Sequence, residues 1–192
     1  MSYVLPHKLV AVLKKVYRHI YSGYRLNHFK CYGKGTITYP SLFTVGDKYI
    51  SLGKNVTIGK RGCITAYKNG AIPPSIVIGD NVMIGDDVHI TAINSVVIGD
   101  DVLFGKKVTI TDNSHGNNTV EELSVHPSCR PVVSKGAVYI GNRVWVGDKV
   151  TILPNVSIGD GVVIGANSVV AKSFPSNVIV AGNPARIVKL IE

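Results

Sequence analysis

Apolar residues return along this chain every six positions. Between Val138 and Val170 the series is Ile140, Val146, Ile152, Ile158, Ile164 and Val170, and four of the six are followed by Gly. A second aliphatic series, Val144, Val150, Val156 and Val162, runs four residues behind the first. Helical faces repeat at about 3.6 residues and strands alternate at two, so a period of six predicts a short strand plus a fixed turn, repeated. One such unit buries little, whereas stacked units form a continuous internal column. An aliphatic residue or Phe followed by Gly recurs at this position eleven times from Val45-Gly46 to Ile164-Gly165, too often for chance. The pattern predicts an all-β solenoid of hexapeptide repeats with three short faces per coil. Gly beside the column would allow close stacking. Asn and Asp in Gly79–Val82, Gly141–Val144 and Leu153–Val156 would make the sharp turns.

The period slips in three places. After Ile64 comes YKNGAIPP, and Ile78 follows fourteen residues later, which reads as two repeats plus a two-residue loop. A second slip of two falls at Ile93-Asn94. From Thr111 to Gly136 the repeat vanishes into a polar segment, then restarts at Ile140, thirty residues after Ile110 and therefore in phase. Loops this long within a regular array are usually functional or disordered.

Outside the array the pattern changes. Leu5, Leu9, Val12, Leu13, Val16 and Ile20 fall on one side of a helix, with Lys8, Lys14, Lys15 and Arg18 on the other. Such a helix would pack its apolar face on the main domain or another subunit, or lie on an anionic membrane surface. The expected organisation is an amphipathic helix and connector over 1–42, the β-helix over 43–174 with its loop at 111–137, and a cap over 175–192. The apolar tail of Ile187, Val188, Leu190 and Ile191 is expected to cover the open end.

Composition fits a narrow β core: 45% hydrophobic but only 7% aromatic. The net charge of +9 is concentrated at the start, where seven Lys and Arg precede the first acidic residue, Asp47. A stacked β core offers no nucleic-acid reading element, and aromatic interleaving is absent. Cys31, Cys63 and Cys129 have no CxxC spacing, which fits a reducing compartment and points to a cytoplasmic protein, with the membrane's inner face an option.

Three motifs carry a family resemblance: Val144-Trp145-Val146-Gly147 restarting the array, Ile164-Gly165-Ala166-Asn167-Ser168-Val169-Val170, and Ala181-Gly182-Asn183-Pro184-Ala185-Arg186. Over about residues 45–190 the chain resembles the hexapeptide-repeat acyltransferases, and most closely the polysaccharide, O-antigen and galactoside or maltose sugar O-acetyltransferases. The resemblance implies a left-handed parallel β-helix, a homotrimer and acetyl-CoA as co-substrate in a cleft between adjacent prisms. No metal is implied. The γ-type carbonic anhydrases share the prism, but His89, His115 and His126 do not have their zinc-ligand spacing.

The family's catalytic His corresponds to His115 in Thr111-Asp112-Asn113-Ser114-His115-Gly116. An imidazole titrates near neutrality, so it can take the proton of a sugar hydroxyl attacking a thioester. His126 is the rival in the same loop. On the cofactor side the resemblance implies Trp145, Gly147, Asp148, Gly165 and Ala166 along the pantetheine, Ala171 and Lys172 near the adenosine, and Arg186 and Lys189 on phosphates. On the acceptor side it points to Asp112 and Asn113, with Asp112 also able to orient the imidazole. The family's upstream acceptor Asn falls at Gly85 here, so Asp86, Asp87 or Asn94 would stand in for it.

The leading expectation is therefore an acetyl-CoA-dependent O-acetyltransferase acting on a surface polysaccharide or its lipid-linked precursor. The alternatives are a transferase for a small free acceptor (a simple sugar, an amino sugar or an antibiotic) and a non-catalytic trimeric scaffold.

Overall fold

A computed structural model describes residues 6–117 and 119–191. Three parallel sheets wrap one aliphatic column. The first face contains Cys31–Tyr32, Ile50–Leu52, Ser75–Ile78, Ser95–Ile98, Val138–Ile140 and Ser157–Ile158. The second runs from Ile37–Thr38 through Met83–Ile84, Leu103–Phe104 and Trp145–Val146 to Val178–Gly182. The third runs from Phe43–Val45 through Cys63–Ala66, His89–Ala92 and Thr109–Thr111 to Val169–Val170. The chain visits the faces in that order, coil after coil, as a parallel β-helix requires.

The six-residue period has a direct structural meaning. Ile58, Ile84, Phe104, Val146 and Ile164 stack in register on one face, and all are buried. The corner valines Val56, Val82, Val102, Val144 and Val162 fill the column between faces. Corners turn on left-handed residues, among them Asn81 (φ 56°), Arg143 (φ 55°) and Asn155 (φ 62°). Gly147 owes its place to close approach: a Cβ there would stand 2.6 Å from the Ala166 backbone nitrogen of the next coil. The first coil begins at Cys31, ahead of the aliphatic signature, because buried Thr36 and Thr38 occupy its inward positions. The Thr36 hydroxyl donates to the Gly53 carbonyl (2.6 Å), so this polar start to the core is satisfied.

Helix α1 spans His7–Arg25; Leu5, counted in its expected apolar side, lies outside the described residues. It does not pack its apolar side on the prism. Its polar side covers the open edge of the Ile37–Thr38 strand, where unpaired backbone groups need partners. Ser22 Oγ donates to the Thr38 carbonyl (3.2 Å) and accepts from the Thr38 amide (3.0 Å). Arg18 donates to the Tyr39 hydroxyl (2.7 Å), and Arg25 donates to Thr44 Oγ1 (2.5 Å) and pairs with Asp47 (3.4 Å). Leu9, Val12, Leu13, Val16 and Ile20 are left exposed, Ile20 at 67%.

The other end also differs from expectation. Ala185–Leu190 turns back antiparallel on Val178–Gly182, so the cap is a β-hairpin added to the second face. Phe174, Val178, Val180 and Ala185 close the column, while Ile187, Val188, Leu190 and Ile191 are exposed. The tail caps by backbone pairing rather than by burying its apolar side chains.

Candidate active site

The three slips in period share one corner, where the chain leaves the third face for the first. Each follows a third-face strand: Cys63–Ala66, His89–Ala92 and Thr109–Thr111. The register fixes their sizes. Leu52 pairs with Ile78 across 26 positions, where a regular coil such as Thr151 to Val169 takes 18, so the first loop holds eight extra residues. Phase counting gave two because it absorbed a whole repeat into the column, whereas Ile72 is exposed.

These loops brace one another. Asn69 Nδ2 donates to the Val132 carbonyl (2.6 Å), joining the first loop to the third. Asp112 is fully buried and its carboxylate accepts from the amides of Ile93 (3.0 Å) and Asn94 (2.7 Å) and from Asn113 Nδ2 (2.9 Å). These three bonds tie Asp112 to the second slip and to Asn113, so it braces the base of the site. Asn113–His115 then pairs antiparallel with Val132–Ser134, with His115 opposite Val132. Gly116 follows at φ 75°, and a Cβ there would meet Glu122 Oε2 at 2.7 Å. The His-Gly pair therefore ends the hairpin in a conformation that favours glycine.

Helix α2, Val120–Leu123, closes the loop with a capping box between Thr119 and Glu122. Glu122 Oε2 also accepts from the Asn117 amide (2.5 Å). His126 caps the short turn after α2, its Nδ1 bonded to the Ser128 hydroxyl (2.8 Å). That local bond engages Nδ1 of the rival imidazole, and His126 is not among the residues lining the cavity described next.

A cavity of about 560 Å³ opens at this corner. His115 and Asn113 line it from the long loop, His89 and Cys63 from the third face, and Tyr67, Lys68 and Asn69 from the first loop. Burial raises the Cys63 thiol above its ordinary value, so it faces the cavity as a neutral wall rather than a thiolate. His115 itself is exposed, free to meet a ligand. Among the described residues no three His, Cys, Asp or Glu are grouped to hold a metal ion.

Of the acceptor-side candidates, the structure brings only Asn113 to the cavity with His115. Asp86 is a corner carboxylate whose Oδ1 accepts from the Lys60 amide (2.8 Å), part of a ladder of such bonds between coils. Asn94 is exposed and outside the lining. Tyr67, Lys68 and Asn69 escaped sequence reasoning, and His89 was weighed there only as a zinc ligand. The signal for them was the slip after Ile64, read in register with the loop bearing His115.

The cofactor-side residues fall in two groups. Trp145 is 55% exposed on the second face, between Leu103 and Val163, and Gly147, Asp148, Gly165 and Ala166 follow at the second-to-third corner. Asp148 Oδ1 accepts from the Lys106 amide (2.8 Å), another rung of the corner ladder. Arg186 and Lys189 lie on the final hairpin strand that extends the second face. Ala171 and Lys172 leave the third face at the corner that carries His115, with Lys172 Nζ 5.7 Å from the Phe174 ring centroid. In one chain, the third face separates Trp145 from His115.

Two family models match: the bacterial transferase hexapeptide (six repeats) over residues 137–172 and the hexapeptide repeat of succinyl-transferase over 49–93. A protein of Escherichia coli K12 named for lipopolysaccharide biosynthesis O-acetyl transfer, WbbJ, is 40% identical over 90% of this chain and 82% of its own length. This chain belongs to the hexapeptide-repeat sugar O-acetyltransferase family. As a member it is an acyltransferase. The E. coli K12 protein WcaF, named for colanic acid biosynthesis, is 33% identical over 72% of the chain and 68% of its own length. The crystal structure of AntD, an N-acyltransferase from Bacillus cereus in complex with dTDP and 3-hydroxybutyryl-CoA, superposes with TM-score 0.75 at 21% identity, covering 90% of this chain and 88% of that one. That likeness concerns the fold and supports the left-handed sense of the β-helix in this family member.

Proposed function

We propose that the chain is an acetyl-CoA-dependent sugar O-acetyltransferase in which His115 is the general base. The observation that carries this is the alignment of three separate insertions at one corner, which together form a cavity with His115 on its wall. His115 takes the proton of an acceptor hydroxyl as its oxygen bonds to the acetyl carbon. The carbon–sulfur bond breaks, and the imidazolium returns the proton to the departing CoA thiolate. Proton transfer of this kind contributes roughly 10²–10⁴ in rate, and holding both substrates together supplies much of the remainder.

The separation of Trp145 from His115 supports a site shared between copies in a homotrimer. The second face of one copy, bearing Trp145 and the low wall at Gly147, Gly165 and Ala166, would meet the His115 corner of its neighbour. Lys172, Arg186 and Lys189 suit this donor, because fixed cations match CoA phosphates. Asn113, Lys68, Asn69 and His89 would hold the acceptor. The names of WbbJ and WcaF support a surface-polysaccharide sugar or its lipid-linked precursor as that acceptor. The unpaired Cys31, Cys63 and Cys129 favour a reducing, cytoplasmic setting.

Replacing His115 by Ala should lower acetyl-dependent thiol release by roughly 10²–10⁴ while CoA still binds in a calorimetric titration. Turnover near that of the parent protein sinks the assignment. Mixed assemblies of His115→Ala and Trp145→Ala chains should regain activity that neither homogeneous assembly has, since only a shared site can be rebuilt from two damaged copies.

A further inference from the structure

We propose that helix α1 docks the protein on an anionic lipid bilayer, lying in the membrane surface with its apolar side down. Two sides of this helix have different fates. Arg18, Ser22 and Arg25 are bonded to the first coils of the prism, so the polar side faces the protein. Leu9, Val12, Leu13, Val16 and Ile20 form the opposite side, each exposed. The orientation is set by the need of the Thr38 backbone for partners, so the apolar stripe cannot turn inward without stripping that edge.

Charge selects the occupant. Lys8, Lys14 and Lys15 are exposed beside the apolar stripe, and no acidic residue precedes Asp47. Between the helix and the prism lies a cavity of about 550 Å³ lined by Lys14, Lys15, Arg18, Lys60 and Tyr39 without a carboxylate. Arg18 and Lys60 both sit over the Tyr39 ring, at 5.1 and 5.7 Å from its centroid, and Arg18 Nε is buried without a hydrogen-bond partner among the described residues. A second copy brought against this stripe would add like charge. Phospholipid phosphates neutralise it while the stripe enters the acyl boundary. No helix among the described residues is long and apolar enough to cross a membrane, so the attachment is to one surface.

The test is flotation of the full chain with phosphatidylglycerol–phosphatidylcholine vesicles and with phosphatidylcholine vesicles alone, with the oligomeric state followed by light scattering. Binding is expected only to the anionic vesicles and should weaken as salt rises. The exposed-site pairs Val16→Asp with Ile20→Asp, and Lys14→Glu with Lys15→Glu, should each reduce binding by about tenfold or more at unchanged oligomeric state. Absence of binding to anionic vesicles overturns the proposal, as does full binding by the Val16→Asp, Ile20→Asp variant. Dissociation of the assembly by that variant also overturns it, because the stripe would then be an interface between copies. None of these outcomes bears on His115.

Discussion

The corner between the third and first faces is built in two ways. After Ile152 it is Leu153-Pro154-Asn155-Val156, closed by one left-handed Asn and a buried Val. After Ile64, Ile90 and Ile110 the same corner is opened by loops, and the cavity bearing His115 stands there. The inward residues on either side are alike, and the stack continues through both versions. The column is therefore indifferent to what happens at its corners, provided the chain returns in phase. A rigid, repetitive core can carry a polar site because the site is added to the turn rather than cut into the packing.

The largest effect should come from converting the open corner into the closed one. Deleting Asp112 to Lys135 leaves Ile110 and Ile140 six positions apart. The β-helix signature in circular dichroism should survive while acetyl transfer disappears; an unfolded product would show that the loop is needed for the column. A smaller loss is expected from Asp112→Ala, which strands the Ile93 and Asn94 amides and should lower stability by about 1–3 kcal/mol in denaturant titration. Asn69→Ala cuts the tie to Val132 and removes one polar group from the proposed acceptor side of the cavity. It should raise the acceptor KM severalfold, leave the acetyl-CoA KM unchanged and cost about 1 kcal/mol or less, as for one exposed hydrogen bond.

The smallest effect concerns a regular corner. Arg61 pairs with Asp87 in the next coil (2.6 Å), and this bond holds the Asp87 carboxyl below its ordinary value. A depressed carboxyl stabilises the fold above its unfolded pKa and loses that contribution as pH falls through the lower folded value. Both side chains are solvent-accessible, so Arg61→Ala should change the melting temperature little at neutral pH. Its trace should be a shallower loss of stability on acidification, read from melting curves across the acid limb.

Much of the fold was legible because an inward position recurs every six residues and tolerates few side chains. The first coil lacks the aliphatic-Gly signature because Thr36 and Thr38 stand at its inward positions. The orientation of α1 was hidden for a different reason. Amphipathicity tells which sides of a helix differ, but the surface it meets decides which side packs, and here that surface is the polar edge of a strand. The motif singles out His115, and the structure sets it with Asn113 on the wall of one cavity. For Asp86 and Asp112, a carboxylate in a turn reads the same in sequence whether it meets a ligand or a neighbouring amide, and the structure sets both against backbone amides, while Asn94 lies outside the cavity lining. Only the register between coils separates the two.

The two ends of the stack have a consequence for how the molecule is counted in solution. Parallel coils are templates for further coils, and an uncapped end invites growth into a fibre. At one end the Ser22 hydroxyl answers both backbone groups of Thr38, so an incoming strand finds that position taken. At the other, the chain reverses direction and lays an antiparallel strand over the last parallel one. Both devices act as chain terminators. At the second face they set a finite length, because a further parallel strand finds its partners already engaged at each end.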